Sequence, residues 1–508
     1  MAASVCIVGA GVTGLCACKH LVQHGVECVV LEAQEGVGGV WRNTFASTKL
    51  QTPRDAFQFS DYLWPKGTPR LPTHFQVMDY LTAYARHFRV LERILFGCTV
   101  VKVCCLDRWP PTPASPKIRA NANWAVCVRR GDQSDAEWLF FEYLVMSVGH
   151  YGDVPKFPSF PESKGPAAFG GKVLHSLDYS KLDEGASKEL LSAKRVVVVG
   201  SRKSALDLVM EAANCNRGDD GQPAMLLYRT PHWVIANHNF YGVPMAYMTS
   251  RVSQLLVPQP GTDKNTLHGL ISAIILSPLR WAISKAMEHY LLTTLPLVEH
   301  DFVPTQKVFE ELKSCKLTLL PERFFERAKA GHITLQRTSD HWGFVEDGIV
   351  LPSGDKLKAD VVVLCTGYEG EEKLKSLLGM SFHDLLQQRD GSIPLYRGVL
   401  PPRVPHLAVL GFQESYSNLF TAEMGARWTA HWIAGKVAVP SVEKMEKEAQ
   451  RWLLNTKPFV TSNDKTCVNS TILGLADEMC KDMGWNPRRK KSLLQELFAP
   501  YGNMDYKD

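Results

Sequence analysis

Gly9, Gly11 and Gly14 stand at the spacing with which a backbone turn receives a pyrophosphate. The first glycine lets the turn close, and the second removes a side chain so that phosphate oxygens reach the amides at the positive end of a helix. The third lets helix and strand pack closely. Glu32 follows at the end of the next apolar run. A carboxylate there accepts hydrogen bonds from both hydroxyls of an adenosine ribose and repels a 2′-phosphate, which selects FAD or NAD over NADP. The pattern recurs at GSRKSA, Gly200 to Ala205, with Gly200, Ser201 and Ser204, and the strand that follows ends in Arg229 rather than an acid. An arginine in that place grips a 2′-phosphate through two parallel N–H groups, so the second site is expected to take NADPH, with NADH as the alternative. Arg202 replaces the middle glycine of the second turn. Its side chain must point away from the pyrophosphate or bend round to neutralise it, and a vestigial second site stays open.

The elements that must position these residues are strand, turn and helix, twice. Val5 to Val8 read as a buried strand, a helix runs to about His24, and Glu27 to Leu31 form the next strand. Arg195 to Val199, a helix to about Asn214 and a strand at Leu226 and Leu227 repeat the order. The expected fold class is α/β, with two Rossmann-like dinucleotide-binding domains and a helical insertion in the second. Residues 1–165 form the first segment of the FAD domain, 166–370 the NADPH domain with its insertion at about 232–300, and 371–508 the return to the FAD domain with C-terminal helices.

EGVGGVWR, Glu35 to Arg42, is a second glycine-rich loop for which an NAD-only domain has no evident need, and it tips the first site toward FAD. Gly38 and Gly39 permit close backbone approach, and Arg42 can meet phosphate charge. Trp41 is either a ring platform or an ordinary core residue. Lys49 to Pro65 reads as a long structured loop, a candidate neighbour of the flavin, and Thr73 with Gln76 predicts a capping box. Val100 to Val148 reads mainly as strands, with Pro110 to Pro116 as an exposed excursion, and the Pro/Gly-rich stretch from Tyr151 to Gly171 as a boundary. Asp360 to Gly367 is a further buried strand, expected to bring the chain back toward the first domain. Leu407 to Phe412 supplies one more strand, and Ala422 to Ile433 a helix whose N-terminus can face the flavin.

Composition narrows the class. The chain has 508 residues, 45% of them apolar, enough for two or three packed domains. The 57 basic residues against 52 acidic are too balanced for a nucleic-acid partner. The basic run Arg488 to Lys491 is expected to flank a terminal helix in solvent. The 13 cysteines contain no CxxC pair, which reads as buried free thiols of a reducing compartment and argues against a flavin disulfide reductase. Asn469-Ser470-Thr471 is then a sequon without the compartment that would use it. No metal-ligand cluster, nucleophile elbow or carboxylate pair is evident, so the cofactors must carry the difficult step. No 18 uninterrupted apolar residues occur, so no transmembrane span is expected. Leu270 to Met287, broken by Pro278 and Arg280, is expected as a helical hairpin on the protein, or as a substrate-channel or membrane-surface element. The expected location is cytoplasmic, with peripheral endomembrane association as the alternative.

FGGKVLHSLDY, Phe169 to Tyr179, resembles the FxGxxxHxxxY or W signature of class B flavoprotein monooxygenases and lies, as theirs does, between the two nucleotide turns. With GAGVTG, GGVW, GSRKSA and LCTGY, Leu364 to Tyr368, the chain is similar to flavin-containing monooxygenases from Val5 to about Ile433. KLQTPRDAFQFSDYLWP and the bulky second turn are similar to the plant branch of amino-acid and pipecolate N-hydroxylases. The resemblance implies that NADPH reduces FAD, that dioxygen forms a C4a-hydroperoxide, and that a small nucleophilic substrate, an amino acid, an amine or a sulfur compound, takes one oxygen atom. It places Phe169, Gly171, His175 and Tyr179 in the coupling of the domains, and Thr366 and Gly367 at the cofactors. Many members carry an asparagine amide over the reactive flavin edge, where alignment suggests Gln51 here, as peroxyflavin support or as a pocket wall. His175 is a domain-coupling or cofactor contact, or a direct proton donor. Ser417 and Asn418 are further pocket candidates. Baeyer–Villiger oxygenation of a ketone and a non-catalytic flavin-binding interaction protein are the alternatives, and Tyr179 in place of tryptophan favours nitrogen or sulfur oxygenation. Oligomeric state is not legible.

Overall fold

The computed structural model describes residues 4–106, 121–131, 135–151, 153–216, 221–256, 274, 276–379, 393–456, 467–469 and 471–507. The excursion expected at 110–116 lies outside them. Strands β1 (Ser4–Val8) and β2 (Glu27–Leu31) flank helix α1 (Val12–Gln23), as the opening pattern predicts. With β3 (Ile94–Leu95), β7 (Tyr143–Met146) and β20 (Leu407–Val409) they form a five-stranded parallel sheet in the order β20-β7-β1-β2-β3. Alternate residues of β1 enter different cores: Val5 and Ile7 face α1 and α2 (His74–His87), whereas Cys6 and Val8 face a three-stranded antiparallel sheet of β4 (Cys98–Cys105), β5 (Trp124–Arg130) and β6 (Ala136–Phe141). Burial on both faces is why the strand is apolar throughout.

The second sheet repeats the first. Its order is β15-β10-β9-β19-β8, built from β8 (Lys172–His175), β9 (Val196–Val199), β10 (Ala224–Tyr228), β15 (Ile333–Arg337) and β19 (Val361–Leu364), all parallel. Val196 and Val198 pack into one core, Val197 and Val199 into another. In each sheet the strand before the glycine turn sits where the order reverses, with β1 between β2 and β7 and β9 between β10 and β19. Ligands of open α/β sheets bind at that switch point.

The strand read at Asp360 to Gly367 therefore belongs to the second sheet, and the return to the first begins only at its exit. There the two connecting segments run side by side: Pro155 bridges Tyr368, Lys156 N–H donates to the Gly367 carbonyl at 3.0 Å, and Glu369 N–H to the Val154 carbonyl at 2.9 Å. The following helix, Gly370–Leu378, buries Leu374, Leu377 and Leu378 with β4 in a first-sheet core.

Three expectations are corrected. Cys315 and Cys467 form a disulfide across 152 residues, with Cα atoms 5.8 Å apart, so the thiols are not all free. Partners so distant leave no spacing signature. No turn occurs at Pro278: the helix Leu276–Thr294 runs through it, while residues 270–273 and 275 of the expected hairpin lie outside the described residues. The basic run is not a plain solvated flank: Arg489 Nε donates to the Asp505 carbonyl at 3.0 Å, and Lys490 Nζ to the Pro500 carbonyl at 2.8 Å. Asn469 of the sequon is also engaged, its Oδ1 accepting from Tyr416 N–H and its Nδ2 donating to the Leu312 carbonyl, each at 2.9 Å. Among the described residues no helix is long and apolar enough to cross a membrane, and no cluster of potential metal ligands is found.

Candidate functional site

The first turn is shaped by contacts that only glycine permits. Gly9 has φ +101°, and a Cβ there would lie 2.6 Å from the Ser147 carbonyl oxygen; a Cβ on Gly14 would lie 1.9 Å from that of Gly9. Gly11 caps α1 with no side-chain acceptor on its first-turn amides and no acid in that turn, which leaves the positive helix end open to an anion. The second glycine loop lies against this turn: Gly38 N–H donates to the Ala10 carbonyl at 3.0 Å, and a Cβ on Gly39 would come within 3.1 Å of Gly11 Cα. The buried Glu32 carboxylate accepts from Ala10 N–H at 2.6 Å and Gln34 N–H at 2.9 Å, which fixes it beside the turn where a ribose would arrive. Arg42 lays its guanidinium over Gly36, and Trp41 meets Phe57 edge-on at 5.6 Å against the first core. A small cavity adjoins this surface. Gly411, Gln413, Thr421, Ala422 and Gly425 are among its lining residues, and Gly411 packs so close to Thr13 of α1 that a Cβ would lie 3.0 Å from its hydroxyl. The cavity sits by the first turns of helix Asn418–Ile433. Uncapped amides, the apposed glycine loop and the fixed acid together fit a dinucleotide extending from α1 toward that helix.

The second turn keeps the frame with different chemistry. Gly200 has φ +145° and would clash with the Cys365 carbonyl at 2.6 Å if it bore a Cβ. Arg202 caps helix α5 (Lys203–Cys215) without a side-chain cap bond and is exposed. Ser201 Oγ donates to the Thr230 carbonyl at 2.7 Å and pins the turn to the end of β10. Ser204 is half-buried in the first turn of α5. Arg229 is 64% exposed beyond β10 and pairs with Asp340. Its guanidinium is thus held at the rim where a 2′-phosphate would arrive.

The signature runs between the sites. A Cβ on Gly171 would lie 2.4 Å from the Asp360 carbonyl and 2.4 Å from the Phe169 ring, so glycine lets Phe169 fold onto β8. His175 ends β8, and its Nδ1 accepts from Leu177 N–H at 3.1 Å, capping the short helix α3 (Ser176–Tyr179). The proton is therefore on Nε2. The ring is 1% exposed and lies 5.4 Å from Tyr368 and 5.5 Å from Phe157. Burial pulls its pKa below the ordinary value, against the Asp178 carboxylate and the Gly367 carbonyl. These contacts suit a neutral positioning group better than a proton donor. Thr366 and Gly367 sit in the paired connecting segments, the Thr366 hydroxyl donating to the Lys156 carbonyl. Burial, and then the Glu211 carboxylate, push the Tyr179 phenol upward, so it remains a donor.

Gln51 is exposed, and it is its backbone carbonyl, not its side chain, that is held: His238 Nε2 donates to it at 2.6 Å. Ser417 and Asn418 are engaged locally: Ser417 caps the helix, its Oγ accepting from Phe420 N–H at 3.2 Å, and Asn418 Oδ1 accepts from Ser415 N–H at 2.9 Å in the loop before it. The 49–65 loop is anchored in the first core, with Trp64 stacked on Tyr80 at 3.9 Å and Ser60 Oγ donating to the buried Glu423 at 2.6 Å. Sequence reasoning missed Glu211, His238 and Glu423, whose partners lie far along the chain. Gly411 was detectable as the glycine exit of a strand.

A family model described as flavin-binding monooxygenase-like matches residues 2–497. The chain is 40% identical to a probable flavin-containing monooxygenase 1 of Arabidopsis thaliana, with 99% of this chain and 96% of the relative covered. It is 37% identical to a putative flavin-containing monooxygenase 2 of the same plant, with 95% and 97% covered. Among solved structures it is similar to an oxidized steroid monooxygenase bound to NADP, with TM-score 0.65, 17% identity and 95% and 98% of the two chains covered. It is also similar to the S-allyl-L-cysteine S-oxygenase of Allium sativum, with TM-score 0.59, 17% identity and 96% and 89% covered. At such identities the likeness to solved structures concerns the fold alone.

Proposed function

Since the chain belongs to the flavin-binding monooxygenase-like family and is an FAD- and NADPH-dependent monooxygenase, we propose that it transfers one oxygen atom to a nucleophilic nitrogen, hydroxylating an amino acid or small amine, with sulfur as the other acceptor. When bound, FAD reduced by NADPH activates dioxygen; the chain must hold, align and shield it. Gly9, Gly11 and Gly14 open the backbone to the FAD pyrophosphate, Glu32 takes the ribose hydroxyls, and Gly38, Gly39 and Arg42 line the next stretch. Gly200, Ser201 and Ser204 receive the NADPH pyrophosphate, Arg202 screens it from the rim, and Arg229 exchanges Asp340 for the 2′-phosphate. Gln51, its backbone carbonyl held by His238, offers its side-chain amide as a donor at the reactive edge. His175, neutral and capping α3, fixes the signature between the two sites.

The observation that carries the nitrogen or sulfur reading is the tyrosine ending of the signature. Its hydroxyl is used, donating to Glu211 at 2.7 Å. The amine reading comes from the resemblance to the plant N-hydroxylating branch; the chain's relatives over nearly its whole length are plant flavin-containing monooxygenases. A mass-spectrometric screen for NADPH-dependent gain of one oxygen, run with amino acids, cyclic amines, thioethers and ketones, tests it. N-hydroxylated products are expected, and products from ketones alone would overturn it.

A further inference from the structure

Phe45 and Ser47 follow the FAD-side glycine loop within a few residues, yet both are held by the second domain. Phe45 is 7% exposed and belongs to the core of the second sheet, where its ring meets that of Tyr179 edge-on at 5.5 Å. Ser47 Oγ–H donates to one carboxylate oxygen of Glu211 on α5, and the Tyr179 hydroxyl donates to the other at 2.7 Å. A carboxylate only accepts, so one side chain gathers two hydroxyls, one from each domain. Its connections lead both ways. Upstream, α5 begins at the second nucleotide turn; on the other side, the chain runs from Ser47 back through Phe45 to Arg42 and the Gly38–Gly39 loop against Gly11. One turn earlier on α5, Asp207 is already bound by Lys203 at 2.6 Å, which leaves Glu211 as the acid that reaches the seam.

We propose that Glu211 is a positioning residue for hydride delivery: by clamping Ser47 of the FAD domain to Tyr179 of the signature, it sets the distance and angle between the two bound cofactors. This rests on the reading above that NADPH reduces FAD in this chain. Hydride donor and acceptor must meet at about 3–3.5 Å, and a misplacement of about 1 Å costs up to about a hundredfold in rate. The clamp therefore governs the reduction step, whereas FAD retention depends on the turn at Gly9 to Gly14.

The test uses full-length protein carrying FAD and the variants Glu211→Ala, Ser47→Ala, the double variant and Glu211→Gln. Two quantities are read: deuterium exchange of the 43–49 amides without nucleotide, and the anaerobic rate constant of flavin reduction at saturating NADPH. Glu211→Ala and Ser47→Ala are expected to keep their flavin, exchange faster over 43–49, and slow reduction by about tenfold, within the range set by misalignment. The double variant should be no slower than Glu211→Ala, because both remove one clamp. Glu211→Gln, whose amide can accept from Tyr179 and donate to Ser47, should recover most of the rate. Reduction within about twofold of wild type in Glu211→Ala and Ser47→Ala, or losses that add in the double variant, would overturn the proposal. Wild-type protein that NADPH fails to reduce would instead strike the functional reading, while exchange at 43–49 would still report on the clamp.

Discussion

Replacing Arg229 with alanine gives the sharpest test of the nucleotide assignment, because the structure lets its magnitude be worked. In the free protein the guanidinium is engaged with Asp340, and the two side chains are 64% and 67% exposed. An ion pair so accessible to water and salt is worth about 0–1 kcal/mol. A charge-assisted hydrogen bond to a 2′-phosphate contributes about 1.5–3 kcal/mol. Exchange of one for the other leaves about 1–2 kcal/mol of net NADPH binding, so Arg229→Ala should lower kcat/KM for NADPH by about five- to thirtyfold. NADH has no 2′-phosphate, and its kcat/KM should change by less than about twofold. Asp340→Asn removes the competing carboxylate and its repulsion, and should raise kcat/KM for NADPH by up to about fivefold, less so at high salt. Steady-state kinetics with both nucleotides at two ionic strengths is the assay. Equal losses for NADPH and NADH in Arg229→Ala, or no response to Asp340→Asn, would refute the assignment.

Gly14→Ala sets a Cβ 1.9 Å from the Gly9 carbonyl oxygen, so the purified variant should carry little FAD by its visible absorbance; full flavin content would contradict the register of the first turn. Gln51→Ala should raise hydrogen peroxide released per NADPH consumed, and unchanged coupling would remove Gln51 from the reactive edge. Arg251 is 5% exposed and holds Asp477 at 2.8 Å and Glu496 at 3.1 Å. Arg251→Ala should destabilise the fold by about 3–5 kcal/mol, seen as a lowered thermal midpoint, because the carboxylates lose their shared cation. Burial holds His20, His74, His175 and His238 below their ordinary pKa of 6.5. The unfolded chain then binds protons that the folded one refuses, so stability is intact above about pH 6.5 and declines as pH falls through that value. A flat thermal midpoint between about pH 7.5 and pH 5.5 would contradict this burial.

Local pattern carried most of the fold. Residues Val5 to Leu31 and Val196 to Tyr228 announce strand, turn and helix because each strand is buried on both faces and each turn needs glycine against a backbone carbonyl. The capping box of Thr73 and Gln76 is present for the same local reason. What local pattern could not show is what distant residues do to one another. The disulfide of Cys315 with Cys467, the ion pair of Arg229 with Asp340 and the clamp of Glu211 on Ser47 join residues that only the folded chain brings together. His175 was legible as part of a motif but not as a cap, since its tautomer follows from the Leu177 amide it faces. Ser417 and Asn418 looked like pocket residues because polar side chains after a strand serve caps, turns and ligands alike, and here Ser417 caps the helix while Asn418 ties down the preceding loop.

A single turnover tests the central claim most directly. FAD-loaded protein is mixed without oxygen with one equivalent of NADPH, then with isotopically labelled dioxygen and an amine substrate found in the product screen. The visible flavin band should bleach in the first step, and the amine product of the second should carry one labelled oxygen atom. A band that stays oxidised, or label recovered only in hydrogen peroxide, would contradict the account.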